Sequence, residues 1–382
     1  MPGLALLAVC LGIARFAYGY FVPTFEAAFA LELPMLGIIA SAIHLGYLAA
    51  IIASWIATDR LGPRPVALAA GTSATLGLAV VAGAPGVAVL AAGFLIAGAS
   101  AAVIVPPLAI MAGRPDAAAR PRRISRALAA GTGLGVLAVP PFALVFLDQW
   151  RLAWGGLAVT AAAATAWAHR QLPPDHDLGR ARSRLPGDLP RVADAPRRSA
   201  GLVLAAGLLG AASAAVWVFG PYVADQSGPD EAAGPHWLWL LIGSAALIML
   251  VVWEALERVH AGLLWRLAML ALAAATATFG LADQRWTLTL LAAPAFGAAY
   301  VVATGTLLRW GASLSHERTI DGMRLALLAA VVGHAVGAGV LGELLALFEP
   351  TRVFNWTAGL AVLAAVLAPR RRPHRGPHPD LG

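Results

Sequence analysis

One arginine lies in the middle of the first apolar stretch of this sequence. Arg15 interrupts residues 4–25, a stretch otherwise long and apolar enough to cross a membrane as a helix. An ionised side chain at mid-bilayer costs about 2.5 to 3.5 kcal/mol on insertion scales, so a chain that retains one usually provides a partner or a ligand. On a helix Arg15 would share its face with Tyr18 and Gly19. This face predicts a cavity in which Arg15 and Tyr18 contact a solute.

Two histidines also lie near the middle of apolar stretches, His44 in the second and His334 in the eleventh. Histidine titrates near physiological pH, so a buried pair could take up and release a proton, with Glu343 as a further carboxylate. The alternative for each histidine is a neutral ring hydrogen-bonded to helix backbone. For Glu343 the alternative is an ion pair with Arg15, which would give that arginine a purely structural role.

The composition is typical of a protein with many membrane spans. Hydrophobic residues make up 59% of the chain, charged residues 12%, and the mean hydropathy is +0.75. Cys10 is the single cysteine, and the nine histidines form no metal-binding motif, so we predict neither a disulfide nor a metal or cofactor. An enzyme is not expected, because no loop carries a cluster of catalytic residue types.

Twelve apolar stretches account for most of the chain, each close to the roughly 20 residues that a helix needs to cross the hydrocarbon. They cover residues 4–25, 34–57, 65–83, 86–112, 124–147, 151–168, 200–224, 236–255, 262–282, 286–308, 321–347 and 352–368. The polar segment 169–199 reads as a linker. The predicted domains are therefore a six-helix bundle at 1–168, the linker 169–199, a second bundle at 200–368 and a basic tail at 369–382. Met1, Pro2 and Gly3 provide no basic signal region, so the first stretch is predicted to be retained.

The loops between these stretches alternate in charge. All 27 basic residues are arginines; loops on one side, with the linker and the tail, hold 21 of them, whereas the opposite loops hold only Arg151, Arg285 and Arg352. The positive-inside rule places the arginine-rich side, and with it both termini, in the cytoplasm, which requires an even number of spans. The net charge of +7 is therefore explained by orientation in a cytoplasmic membrane, and we predict no nucleic-acid partner.

An internal repeat relates the two halves. Residues 55–60 and 253–258 both read Trp-x-Ala-x-acid-Arg, 198 residues apart, each after the second stretch of its half. Two similar halves joined by a linker are typical of transporters that rock about a site at the bilayer midplane.

The segment from Asp59 to Val66 resembles the loop between helices two and three of the major facilitator superfamily, commonly D-R-x-G-R-R-P. The resemblance covers nearly the whole chain and implies an all-α integral membrane protein with twelve transmembrane helices in two pseudo-symmetric six-helix bundles. In that family the loop is associated with the conformational switch. This implies gate roles for Asp59, Arg60, Gly62 and Arg64 and, through the repeat, for Glu257 and Arg258; their alternative is a solvated tight turn. Trp55 stands where the family has a leading glycine.

The resembled architecture also implies which helices meet. Helices one, four, seven and ten would line a central cavity, while two would pack against eleven and five against eight. Trp217 and Tyr222 on helix seven, with Tyr300 and Thr304 on helix ten, would then face the solute beside Arg15. The alternative for these four residues is ordinary packing or an aromatic belt at the membrane interface.

Together these features predict a secondary active transporter that works by alternating access. The isolated arginine favours a small anionic or polar organic solute, such as a carboxylate, with protons as a candidate coupling ion. Efflux of drugs or amphipathic metabolites by the same fold is the alternative, and a non-transporting membrane sensor ranks lower because the linker and tails are short. The protein is expected to act as a monomer in the lipid bilayer.

Overall fold

The computed structural model describes residues 2–105, 107, 120–146, 149–172, 196–225, 234–281, 286–314 and 319–369. These ranges contain twelve helical units and no β-strand. The first six are α1 (Pro2–Leu7, Ala8–Ile13, Ala14–Tyr20 and Val22–Phe29 in succession), α2 (Leu33–Leu61), α3 (Pro63–Ala82), α4 (Val87–Val103), α5 (Arg120–Phe146) and α6 (Trp150–Gln171). The last six are α7 (Pro196–Ala214, Ala215–Phe219 and Gly220–Asp225 in succession), α8 (Gly234–Val251 and Trp253–Arg258), α9 (Ala261–Phe279), α10 (Trp286–Leu314), α11 (Thr319–Leu347) and α12 (Pro350–Val366).

Each unit overlaps one of the twelve predicted stretches, which is consistent with the predicted number of spans. Eight of the helices are long and apolar enough to cross a membrane, and the shorter helices Val87–Val103 and His236–Val251 are also apolar. The chain is therefore a multi-pass membrane protein of the predicted fold class. Most of the predicted linker and the tail beyond residue 369 lie outside the described residues.

Several helix boundaries differ from the predicted stretches, and the end of α2 has an identifiable cause. The apolar stretch ends at residue 57, but α2 continues to Leu61, so Asp59 and Arg60 belong to its last turn and not to a loop. The helix ends only where Gly62 adopts φ 91°, a conformation that is strained for residues with a Cβ. The helix therefore ends where the backbone conformation changes at Gly62, and not where the hydropathy falls after residue 57.

In the part of the chain that the structure describes, two helices contain a π-helical segment, Ala8–Ile13 in α1 and Ala215–Phe219 in α7. A π turn adds a residue and changes which side chains share a face, and such turns occur often at functional sites. The segment in α1 lies directly before Arg15. It packs on α5 so closely that a Cβ on Gly135 would overlap the α1 backbone at Gly12, which holds α1 in place one turn from Arg15.

The two bundles meet along two pairs of helices, α2 with α11 and α5 with α8. We call these the α2/α11 seam and the α5/α8 seam. They are the pairings that the resemblance implies, and α1 contacts α7 between them. The space enclosed by these contacts contains the candidate site.

Candidate functional site

Arg15 lies between two adjoining cavities at the interface of the bundles. Cavity A lies between α1, α2 and α5 on one side and α10 and α11 on the other; cavity B lies between α1, α7, α10 and α11. Their empty space is about 530 and 380 Å³ respectively, counted with adjoining solvent. Both linings include Arg15, Tyr300, Thr304 and Leu327. Arg15 of α1 therefore borders both cavities.

The guanidinium of Arg15 has few protein partners. Its carbon lies 4.9 Å from the centre of the Phe16 ring, and its buried Nε has no hydrogen-bond partner among the described residues. No ion pair in the described part of the chain joins Arg15 to a carboxylate. Glu343, considered as its structural partner, is exposed on α11. Such a cation between two cavities can bind an anionic group.

Hydroxyl groups complete the polar lining. Cavity A adds Tyr47, Ser125 and Thr132, and cavity B adds Ser213. The hydroxyl oxygens of Ser125 and Thr304 are buried without a partner among the described residues. Within those residues neither lining contains a carboxylate. The site therefore combines one fixed cation with neutral hydrogen-bonding groups.

Four aromatic residues from both bundles close the space beyond Arg15. We call Phe16, Trp217, Phe296 and Tyr300 the aromatic closure. The ring centres of Phe16 and Trp217 are 4.1 Å apart, and those of Trp217 and Tyr300 are 5.3 Å apart. Further along α1, Tyr20 hydrogen-bonds His236 of α8. Tyr300 of the closure borders both cavities, and their lining residues Leu11, Ser125 and Leu307 lie toward the ends where α1 and α5 begin and α10 ends.

Two of the other predicted solute contacts, Tyr18 and Tyr222, lie outside both cavity linings. Tyr18 donates a 2.6 Å hydrogen bond to the carbonyl of Leu36 and packs on Phe94 inside the first bundle. It lines neither cavity, and neither does the buried Tyr222. Trp217 belongs to the aromatic closure, while Tyr300 and Thr304 line both cavities.

The sequence-based prediction omitted four residues whose hydroxyls line the cavities. For two of them, the spacing from a predicted residue could have identified the side chain. Tyr47 is three residues from His44 on α2, and Ser213 is four residues from Trp217 on α7, which are spacings that place side chains on one helical face. No such spacing identifies Ser125 or Thr132, because single hydroxyl residues are common in apolar helices. Only the packing of α5 against α10 brings them to the cavity.

His44 and His334 are brought together as the resemblance implies. Their rings stack across the α2/α11 seam with centres 4.2 Å apart and an angle of 19° between their planes, and each side chain is only 2% exposed. His44 Nδ1 lies 3.1 Å from the carbonyl oxygen of Ala40, which places its proton on Nδ1. His44 Nε2 and His334 Nδ1 have no partner among the described residues, and His334 lines cavity B. Glu343 does not join the pair.

The predicted gate residues lie at the linker end of the helices. Arg324 of α11 stacks on Trp55 of α2, with its guanidinium carbon 3.3 Å from the ring centre. Asp59 is exposed, and partial desolvation raises the pKa of its carboxyl, which the nearby charge of Arg324 partly opposes. Arg60 is exposed.

The structure describes two further gate side chains, those of Arg64 and Arg258. Arg64 donates a 2.6 Å hydrogen bond to the carbonyl of His169, within the first bundle. Arg258 is exposed in the last turn of α8, and the Glu257 side chain lies outside the described part.

Solved structures of transporters share this architecture. A mutant of the nucleoside transporter NupG is 15% identical, with 96% of this chain and 98% of that chain covered and a TM-score of 0.74. The xylose transporter XylE from E. coli, in a partially occluded inward-open conformation, is 13% identical, with 95% and 96% covered and a TM-score of 0.73. A D-xylose–proton symporter is 14% identical, with 95% of each chain covered and a TM-score of 0.71. At these identities the likeness establishes the fold alone.

The sequence itself matches a family. No curated protein matches the chain. The family model described as "Uncharacterised MFS-type transporter YbfB" matches residues 7–369, which include all twelve helices except the first few residues of α1. This match agrees with the resemblance of the Asp59 loop and with the helix pairing across the two seams. The chain therefore belongs to the YbfB-like family of major facilitator superfamily transporters, and it is a transporter and not an enzyme.

Proposed function

We propose that this transporter moves a small organic anion, bound through Arg15, by alternating access of the two bundles. The observation that carries the proposal is the position of Arg15: it adjoins both cavities, and no ion pair in the described part of the chain neutralises it. A carboxylate could form charge-assisted hydrogen bonds with the guanidinium, which are roughly twice as strong as neutral ones. A neutral solute would leave this partly buried cation without a counter-charge.

The rest of the lining fits such a solute. Hydroxyls from α2, α5, α7 and α10 can donate to or accept from polar groups of its body. The remaining lining is apolar, as expected for a pocket that fixes its ligand with a few placed polar groups. Trp217 and Tyr222 would act in this proposal through the closure and the helix α7, and Tyr18 by positioning α1 on α2.

The structure fits one state of an alternating-access cycle. The aromatic closure seals one end, and the cavities lie toward the end with the N-terminus and linker. With both termini cytoplasmic, this is an inward-facing state of a protein in the cytoplasmic membrane. In the opposite state the bundles would separate at the closure and approach at the gate residues Asp59, Arg60, Gly62, Arg64, Glu257 and Arg258. The inward-open XylE structure has a similar fold.

The proposed orientation in the membrane, with the linker on the cytoplasmic side, can be tested by cysteine labelling. Single cysteines placed in the linker 169–199 and in the loop before Leu33, in a Cys10→Ser background, should react with a membrane-impermeant reagent from opposite sides of intact cells. Labelling of both from outside would contradict the orientation.

A thermal-shift panel on purified protein tests the solute class. We expect benzoate, succinate and related carboxylates to raise the apparent melting temperature, whereas benzamide, xylose and uridine should not. A ligand at 100 times its Kd stabilises the folded state by about 2.7 kcal/mol. Xylose and uridine represent the solutes of the structural neighbours.

Arg15→Gln should weaken carboxylate binding by at least about 30-fold, because removing one partner of a buried charged pair costs roughly 2 kcal/mol or more. Arg266→Gln is the matched control, since Arg266 is exposed on α9 within a spanning helix and lines neither cavity. Stabilisation by neutral solutes that persists in Arg15→Gln would overturn the proposed anion.

A further inference from the structure

We infer that the solute anion and a proton occupy the site as a unit: Arg15, His44 and His334 form one basic cluster that takes up a proton only when an anion neutralises Arg15. The inference rests on the proposed function and names the co-substrate of the same site. It predicts one proton per monovalent anion and therefore no net charge moved.

The geometry joins the three groups across both bundles. Arg15 of α1 and His334 of α11 line the same cavity B, and His334 stacks on His44 of α2 at 4.2 Å. A change of charge at any one group is therefore felt by the other two. An anion bound to the guanidinium in cavity B would therefore also lie near His334.

The charges of this cluster are unbalanced when the cavity is empty. In the described part of the chain no ion pair joins any of the three groups to a carboxylate. A proton on either imidazole would create a second positive charge beside Arg15, in an interior where charges are poorly screened. An anion on Arg15 removes this repulsion and adds an attraction. Protonation and anion binding therefore favour each other, and the coupling is reciprocal.

The pair has a place for one proton and not for two. His44 donates from Nδ1, so its unpartnered Nε2 can accept a proton, and the unpartnered Nδ1 of His334 can accept one in the tautomer that carries the ring proton on Nε2. Stacked rings 4.2 Å apart cannot both become cations without strong repulsion. The proton binds from water to one ring nitrogen, and it returns to water on the other side when the anion leaves. No covalent bond of the solute changes.

Other titratable groups do not supply the missing charge. Tyr47 and Tyr300 present phenol hydroxyls to the cavities, and among the described residues no carboxylate lines either cavity. The described part of α4, which packs on α2, has no titratable side chain, and α7 presents the Ser213 hydroxyl to cavity B. The proton uptake can therefore be assigned to the histidine pair.

Nitrogen NMR of the imidazole rings tests the charge coupling without any ligand. In wild-type protein both rings should remain neutral between about pH 6 and 8, and Arg15→Gln should move the midpoint of protonation up by about one pH unit or more. His44→Gln and His334→Gln assign the signals, and Arg266→Gln should leave the midpoint unchanged. Protonated rings in wild-type protein near pH 7, or no shift in Arg15→Gln, would overturn the inference.

Calorimetry with benzoate tests the joint binding. The heat measured in buffers of different ionisation enthalpy should show about one proton taken up per benzoate, and none in the double variant His44→Gln/His334→Gln. Benzoate binding that depends on Arg15 but takes up no proton would overturn this inference and leave the proposed function standing. Failure of benzoate and every other carboxylate of the panel to bind would overturn the proposed function and this inference with it.

Discussion

The two seams between the bundles occupy equivalent places in the internal repeat, but their side chains differ. Along the α2/α11 seam, Ser41 donates a 2.7 Å hydrogen bond to the carbonyl of Ala335, and His44 stacks on His334. Along the α5/α8 seam, Leu247 and Ala246 lie against Gly133. Near the middle of the helices, one seam is therefore polar and titratable, and the other is apolar.

The linker ends of the seams retain a trace of the repeat. Arg324 and Arg126 are separated by the same 198 residues as Trp55 and Trp253. Arg324 stacks on Trp55 in one seam, whereas Arg126 lies 3.4 Å from Glu254, the neighbour of Trp253, in the other. Both halves of the repeat thus have an arginine opposite the tryptophan motif. The residue that this arginine contacts differs, a tryptophan in one seam and a glutamate in the other.

This difference supports a division of roles within the proposed cycle. In that cycle both seams slide or separate as the bundles rock, and the stacked histidines of the α2/α11 seam are the groups proposed to make that motion depend on protons. The α5/α8 seam instead provides packing. The following changes test this division, beginning with the largest expected effect.

Trp253→Ala should cause the largest loss of stability. Trp253 is 3% exposed and packs with Ala129, Ala246 and Val301, which belong to three helices and both bundles. Truncating a buried tryptophan costs about 3 to 5 kcal/mol. The apparent melting temperature in detergent measures the loss. Trp237→Ala is the control, because Trp237 is 55% exposed on the same helix; equal effects would refute the packing role of the α5/α8 seam.

Gly37→Ala should lower the stability of the folded protein more than Gly133→Ala does. A Cβ on Gly37 would lie 2.6 Å from the carbonyl oxygen of Ala338, which is rigid helix backbone, whereas a Cβ on Gly133 would meet the movable side chain of Leu247 at 2.9 Å. Overpacking that forces a backbone shift costs about 1 to 3 kcal/mol. Thermal unfolding of both variants checks the order, and the reverse order would show that the α2/α11 seam is the looser one.

Trp55→Ala should weaken the linker end of the α2/α11 seam by about 0.5 to 2 kcal/mol, the range for a cation stacked on an aromatic ring. A double-mutant cycle with Arg324→Gln isolates the coupling, because each single variant removes the same contact. Trp55→Phe should retain part of it. A coupling energy near zero would mean that the stacking does not hold the bundles together.

The equivalent contact in the α5/α8 seam should contribute least. Arg126 and Glu254 are 46% and 78% exposed, so their ion pair is screened and expected to contribute about 0.2 to 1 kcal/mol at low salt and less at high salt. A cycle of Arg126→Gln and Glu254→Gln measures it. A coupling as large as that of Trp55 and Arg324 would show that the two ends are functionally equivalent after all.

The amino-acid sequence by itself determined the number of helices, the all-α membrane fold and the family, because hydrophobic length and local motifs are properties of contiguous residues. It also singled out Arg15, since an arginine within an apolar stretch is conspicuous without any structure. Only the tertiary structure decided which side chains share the site. Tyr18 lies three residues from Arg15, about 60° away around the helix, and that rotation turns it from the interface into the first bundle. The hydroxyls of Tyr47, Ser125 and Ser213 reach the cavities, and His44 reaches His334, through the packing of helices far apart in the chain, which no local pattern encodes.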